Sequence, residues 1–250
     1  MIETIQHGQV AEIHFNNPPA NAMGLEFLAS LREAITALPE TGAKAAYLTG
    51  KQGLFSAGLD VPNLVKLDRN GIRELWNQLF GLMWEMISSP VPLVAAIAGH
   101  APAGGCVMSI CCDYRIMASE EKYRIGISEV SVGIPLPPVI YQVMAHILGD
   151  HHAGRLCNTG ALVSPQQAYH LGLVDQLEPL ENVNEAAKKY AEMLASLSPF
   201  AYAETRNANR SDLLYAAPLP NAVEVEIEVE HWFHEETQAN LSALVAKLGK

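Results

Sequence analysis

The chain has 250 residues, with 16 Lys and Arg against 27 Asp and Glu, and a formal net charge of −11. That balance excludes a basic nucleic-acid binder, because phosphate contacts need clustered cations. Apolar residues form 49 % of the chain and charged residues 17 %, enough to build a buried core and too little charge for a disordered tail protein. No stretch reaches the roughly 18 uninterrupted apolar residues of a membrane span. The start, Met1-Ile2-Glu3-Thr4, carries no cationic targeting region, so a soluble cytoplasmic protein is expected. Cys106, Cys111, Cys112 and Cys157 show no metal-ligand spacing and sit in apolar contexts, which fits reduced core thiols and no metal site.

In chain order, residues 2–15 predict a hairpin turning at His7-Gly8-Gln9. Asn16-Asn17-Pro18-Pro19 breaks the chain, and Leu25, Leu28, Leu31, Ile35 and Leu38 then fall at helical spacing over 24–38. A short apolar strand covers 45–49, and a glycine-bearing loop runs from Gly50 to Asp60. Ile72, Leu75, Leu79, Met83 and Met86 mark a second helix over 71–87, stopped by Ser88-Ser89-Pro90. Strands are expected at 93–97 and 114–118, separated by a Gly99-to-Gly105 turn and the apolar run Cys106–Cys112. This alternation is the mark of a layered α/β fold. Helical patterns follow at 138–148, 152–158, 165–172 and 182–197. Length and pattern suggest a core with the site over 1–190 and a C-terminal helical region over 191–250. Residues 223–230 alternate Val or Ile with Glu and fit an exposed strand by period, yet Val225, Val229, Trp232 and Phe233 also share a helical face.

Three small-residue loops follow apolar strands: 54–60, 101–106 and 123–135. The first two can each present a backbone N–H, and two converging N–H groups make an oxyanion hole for charge developing on a carbonyl oxygen. The third contributes one ionisable side chain, Glu129, between apolar neighbours. Such surroundings disfavour its charged form and raise its pKa toward that of a general base near neutrality. Taken singly, each loop reads equally as a turn, and Glu129 as a helix cap or an ion-pair partner. The histidines at 100, 151, 152, 231 and 234 are expected to be structural or exposed, the Glu run at 224–236 a solvated face, and Asp113 with Arg115 an ion pair.

Together these stretches resemble the crotonase, or enoyl-CoA hydratase/isomerase, superfamily over nearly the whole chain. The likeness rests on Asn17-Pro18-Pro19-Ala20-Asn21-Ala22-Met23, Phe55-Ser56-Ala57-Gly58-Leu59-Asp60, Pro102-Ala103-Gly104-Gly105-Cys106, Cys112-Asp113-Tyr114-Arg115-Ile116 and Gly172-Leu173-Val174-Asp175, in that order. Within the superfamily the chain is most similar to the isomerases that convert 3-enoyl-CoA to 2-enoyl-CoA. The resemblance implies a spiral of repeated ββα units with a C-terminal helical region that forms a homotrimer or a dimer of trimers.

It also implies roles. Ala57 and Gly104 N–H would form the oxyanion hole, Glu129 would shuttle a proton from carbon 2 to carbon 4, and Ser56, Gly58, Leu59 and Asp60 would line the acyl-CoA channel. Family hydratases carry a second glutamate where this chain has Val107, so isomerisation in fatty acid β-oxidation is favoured over hydration. Gly133-Ile134-Pro135-Leu136-Pro137-Pro138 also departs from the hydratase continuation. No cofactor is implied, since the thioester itself acidifies carbon 2. The alternatives are a hydratase or thioester hydrolase working through Glu129, and a non-catalytic acyl-CoA-binding or assembly subunit.

Overall fold

The computed structural model describes residues 1–216 and 222–248. Strands β1 (Ile2–His7) and β2 (Val10–Phe15) pair antiparallel with His7 opposite Val10, and Gly8 takes the positive φ that the tight turn demands. After α1 (Leu25–Ala37), which buries Phe27, Leu28, Leu31 and Ile35, the chain returns as β3 (Ala45–Thr49), parallel to β2. It continues through β4 (Gly53–Leu54), α2 (Val61–Leu64) and α3 (Arg69–Ser88), the last capped by the Asp68 carboxylate, which accepts the Gly71 N–H at 2.8 Å. Then come β5 (Leu93–Ile97), β6 (Gly99–Pro102), α4 (Gly104–Ile110), β7 (Tyr114–Ala118) and β8 (Ile125–Gly126). The remainder is α5 (Pro138–Cys157), α6 (Pro165–Leu171), β9 (Gln176–Glu178), α7 (Val183–Ala195), α8 (Pro199–Asn209), α9 (Ser211–Ala216), α10 (Ala222–Phe233) and α11 (Glu235–Leu248).

Two sheets result. The larger runs β1-β2-β3-β5-β7-β9, parallel except for the opening hairpin, and the smaller is the parallel trio β4-β6-β8. Each successive turn of the chain lays one strand in the large sheet and the next in the small one: β3 then β4, β5 then β6, β7 then β8. This is the spiral of strand pairs and helices that was expected, followed by the helical C-terminal region. The long apolar strands lie where their composition places them, and Gly149, at φ 71°, breaks α5 between the two helical patterns. The small sheet and β9 had no sequence period to reveal them, because strands of two to four residues are too short to show one.

Residues 222–233 are helical, which settles the open reading of 223–230. Val225, Val229 and Trp232 turn onto α3, and the Trp232 indole meets Trp76 edge to face at 6.4 Å. The Glu run is exposed at 224, 226, 230, 235 and 236, the solvated face that was expected, with Glu228 the exception. Glu226 and Glu230 pair with Arg73 and Arg69 of α3, while Glu228 is buried beside His231 at 3.2 Å.

Asp113 and Arg115 do not pair with each other. Asp113 takes Arg206 at 2.6 Å and Arg210 at 3.0 Å, and Arg115 takes Asp175 at 2.7 Å. The reason is that Arg206 of α8 and Arg210, which follows the helix, bring two guanidinium groups to the end of α3, where Arg206 also donates to the carbonyls of Met86, Ile87 and Ser89 at 2.7–3.0 Å. These carbonyls end α3 and have no acceptor role inside it, so the arginine satisfies them while docking the C-terminal region to the core. Replacing Arg206 by Met is expected to cost roughly 3–5 kcal/mol, because Asp113 and the carbonyls stay buried with fewer donors. A shift in urea midpoint worth less than about 1 kcal/mol would rule that role out.

Candidate active site

The backbone hydrogen bonds of the 55–60 loop decide which of its amides is available. Ala57 N–H, the expected oxyanion donor, is taken by Ala20 C=O at 3.0 Å. Gly58 N–H donates to Ser56 Oγ at 3.1 Å, and Asp60 N–H to Met23 C=O at 3.1 Å. Leu59 N–H is left without an acceptor among the described residues. The amide left open in this loop is therefore that of Leu59 and not that of Ala57, a correction that follows from the pairing of the loop with residues 20–23.

Ser56 is also reassigned. It is fully buried and its hydroxyl donates to Asn21 C=O at 2.7 Å, so it pins the loop and cannot touch a substrate. Asn21 holds the other side: its Nδ2 donates to Phe55 C=O at 3.0 Å and its Oδ1 accepts Asn17 N–H at 2.9 Å. Its φ of 49° is one of two positive values outside glycine among the described residues. Asp60 caps the loop, accepting Asn63 Nδ2 at 2.8 Å.

Gly104 begins α4, so its N–H has no acceptor within the helix. Ala103 before it is the second positive-φ residue, at φ 49° and ψ −122°. An alanine held there is strained, at the point where the chain enters α4 opposite Gly58. The two loops touch. A Cβ on Gly58, itself at φ 88°, would lie 2.9 Å from Ala103 Cβ and 3.0 Å from Gly104 N. A Cβ on Gly104 would lie 3.1 Å from Gly58 Cα. Glycine at both positions lets the two loops approach this closely.

Glu129 follows β8 at the head of a 3₁₀ turn, Val130–Val132, that ends on Gly133 at φ 76°. Its carbonyl accepts the N–H groups of Val132 and Ile134, both at 3.0 Å. The side chain is buried, and one carboxylate oxygen, Oε2, has no hydrogen-bond partner. Burial pushes its pKa from 4.5 to about 7, offset in part by the backbone amides of Ser128 and Glu129, and no charged side chain contributes. The thiols of Cys106 and Cys157 feel the charge of this carboxylate. Burial, with Glu129 adding, raises both, that of Cys157 to about 11, so neither is a nucleophile near neutrality. Val107, in the first turn of α4, is buried.

His100 is held structurally: its Nδ1 accepts Arg124 N–H at 3.2 Å and its ring lies edge-on to Tyr123. Sequence reasoning missed Asn21 as the anchor of the donor loop. The signal was its place in the Asn17–Met23 stretch, but the partner carbonyl is 34 residues away. None of the described helices is long and apolar enough to cross a membrane.

A profile of the enoyl-CoA hydratase/isomerase family matches residues 5–247. The chain belongs to that family. Its members include enoyl-CoA delta isomerase 1, mitochondrial, of Mus musculus, 32 % identical over 212 residues, covering 84 % of this chain and 73 % of that protein. A putative enoyl-CoA hydratase of Thermus thermophilus is 32 % identical over 219 residues, covering 86 % of this chain and 83 % of the relative. The crystal structure of human mitochondrial delta3-delta2-enoyl-CoA isomerase superposes with a TM-score of 0.95 at 28 % identity, covering 99 % of this chain and 98 % of that one. The sequence matches span 63–73 % of the mammalian isomerases' own length. The chain is thus an enzyme of the enoyl-CoA hydratase/isomerase family with the crotonase fold.

Proposed function

We propose that the chain shifts the double bond of a 3-enoyl-CoA thioester to give the trans-2-enoyl-CoA. The observation that carries this reading is Glu129: a buried carboxylate with a free oxygen and no charged neighbour, in a fold whose hydratase resemblance would demand a second glutamate where Val107 stands. The similarity to proteins named as isomerases supports it. A proton shuttle needs one base, whereas adding water across a double bond is served by two carboxylates.

Glu129 takes a proton from carbon 2, and the electron pair moves onto the thioester oxygen as a dienolate. Leu59 N–H and Gly104 N–H receive that oxyanion. The protonated Glu129 then delivers the same proton to carbon 4 as the double bond settles between carbons 2 and 3. A base with a pKa near the operating pH can do both, since neither the gain nor the loss of the proton is steeply uphill. The thioester supplies the acidity of carbon 2, so the reaction calls for no cofactor. Its product is the substrate type of 2-enoyl-CoA hydration in fatty acid β-oxidation, and the homotrimer or hexamer implied by the family resemblance is part of the same proposal.

The test is conversion of trans-3-hexenoyl-CoA to the 2-enoyl product, with crotonyl-CoA hydration measured alongside. Rapid isomerisation and negligible hydration are expected. Brisk hydration without isomerisation would replace this reading by a hydratase. The reactive form of Glu129 is the carboxylate, so kcat/KM should rise with pH through about 7 and level off above it. A profile flat from pH 5.5 to 8.5 would remove Glu129 from the role of base.

A further inference from the structure

The C-terminal helix α11 packs against both halves of the site: against α2, which continues directly from the donor loop, and against the 130–132 turn that follows Glu129. Leu241 seats it, fully buried. One residue before Leu241, the Asn240 side chain fills the space over Gly133. A Cβ on Gly133 would fall 2.0 Å from Asn240 Nδ2, 2.6 Å from its Cγ and 2.8 Å from its Cβ. Gly160, three residues past α5, also approaches the turn closely: a Cβ there would meet Ser131 N at 2.6 Å. The turn therefore packs against two segments that are remote in sequence, and on the α11 side the Asn240 side chain meets Gly133 by contact, with no hydrogen bond to the turn among the described residues.

We infer that Asn240 is a positioning residue: by filling the gap over Gly133 it fixes the turn that aims Glu129. This rests on Glu129 being the catalytic base. A side chain acting by shape predicts a specific pattern of substitutions. Asn240→Ala leaves a void beside the turn and admits water, so kcat should fall about tenfold with KM little changed. The midpoint of the pH profile should move down by about one unit, because a carboxylate reached by water loses part of its desolvation. Asn240→Leu, of similar shape and without the amide, should keep both kcat and the midpoint near those of the parent. Gly133→Ala should be impaired, and adding Asn240→Gly to it should restore part of the loss, since the side chain it collides with is gone.

The readout that does not depend on turnover is the pH titration of the Glu129 side-chain carboxyl by ¹³C NMR in the full chain. If the chain fails to isomerise 3-enoyl-CoA but Asn240→Ala still lowers that titration midpoint, the reaction assigned above fails and the positioning role stands. An unchanged titration and unchanged kcat in Asn240→Ala would overturn the inference. So would an Asn240→Leu variant as impaired as Asn240→Ala, which would place the effect in the amide and not in its shape.

Discussion

Glu129→Gln is expected to abolish isomerisation and at the same time make the protein more stable above neutral pH. The loss in kcat should be on the order of 10²–10⁴ or greater, the contribution of a positioned acid–base group, because the glutamine amide neither accepts nor returns the proton. The gain in stability has the same origin as the activity. In the unfolded chain the carboxyl titrates at its ordinary 4.5, and in the fold at about 7. A group whose folded pKa is raised adds stability that is complete below the unfolded value and is lost as pH climbs through the folded one. The buried charge therefore costs about 3 kcal/mol at pH 8 and below about 1 kcal/mol at pH 5, at about 1.4 kcal/mol per unit of pKa difference. Urea denaturation of the parent and Glu129→Gln at the two pH values reads this directly. Equal midpoints at pH 8 would mean that the carboxylate is solvated in the fold and that its neutral pKa is not the source of its reactivity.

Gly58→Ala is expected to lose about 10²–10³ in kcat, comparable to losing one oxyanion-hole donor. The added methyl would stand 3.0 Å from Gly104 N and 2.9 Å from Ala103 Cβ, in the space that the proposed reaction assigns to the dienolate oxygen. The backbone at φ 88° adds a penalty of about 1 kcal/mol for any residue but glycine, which appears as a lower unfolding midpoint. That penalty is small beside the effect on the reaction, so the two separate cleanly: a large kcat loss with a modest stability loss. A variant with near-parental kcat would show that the substrate oxygen is held elsewhere than between Leu59 and Gly104.

Both predictions bear on residues that the sequence makes visible to different degrees. Glu129 was legible because a lone carboxylate between apolar residues has few chemical readings, and the order of motifs around it narrowed them to one family. Gly104 was legible as a glycine opening a helix after a buried strand. In the other loop the expected amide, Ala57, is the one the fold pairs, and the open one lies two residues on at Leu59. The reason is that a run of small residues shows which segment is free of side-chain bulk, but which amide is spare depends on the acceptors opposite. Those acceptors, Ala20 C=O, Met23 C=O and the Ser56 hydroxyl, are fixed by pairing between segments more than 30 residues apart. Ser56 changed from a channel residue to an internal fastener for the same reason.

The sequence by itself determined the layered α/β class, the positions of the strands at 45–49, 93–97 and 114–118, the reduced core thiols and the apolar-flanked carboxylate of Glu129 on which the proposed reaction rests. These follow from local composition and period, which each segment carries within itself. Only the tertiary structure decided that 222–233 is a helix, that Asp113 answers to Arg206 and Arg210, that a second sheet of two- to four-residue strands exists, and that Leu59 supplies the open amide. Each of these depends on which partner arrives across the fold. A Glu-Val repeat becomes a helix once Trp76 offers its other face a surface, and an amide is left open once every neighbour of it has found an acceptor.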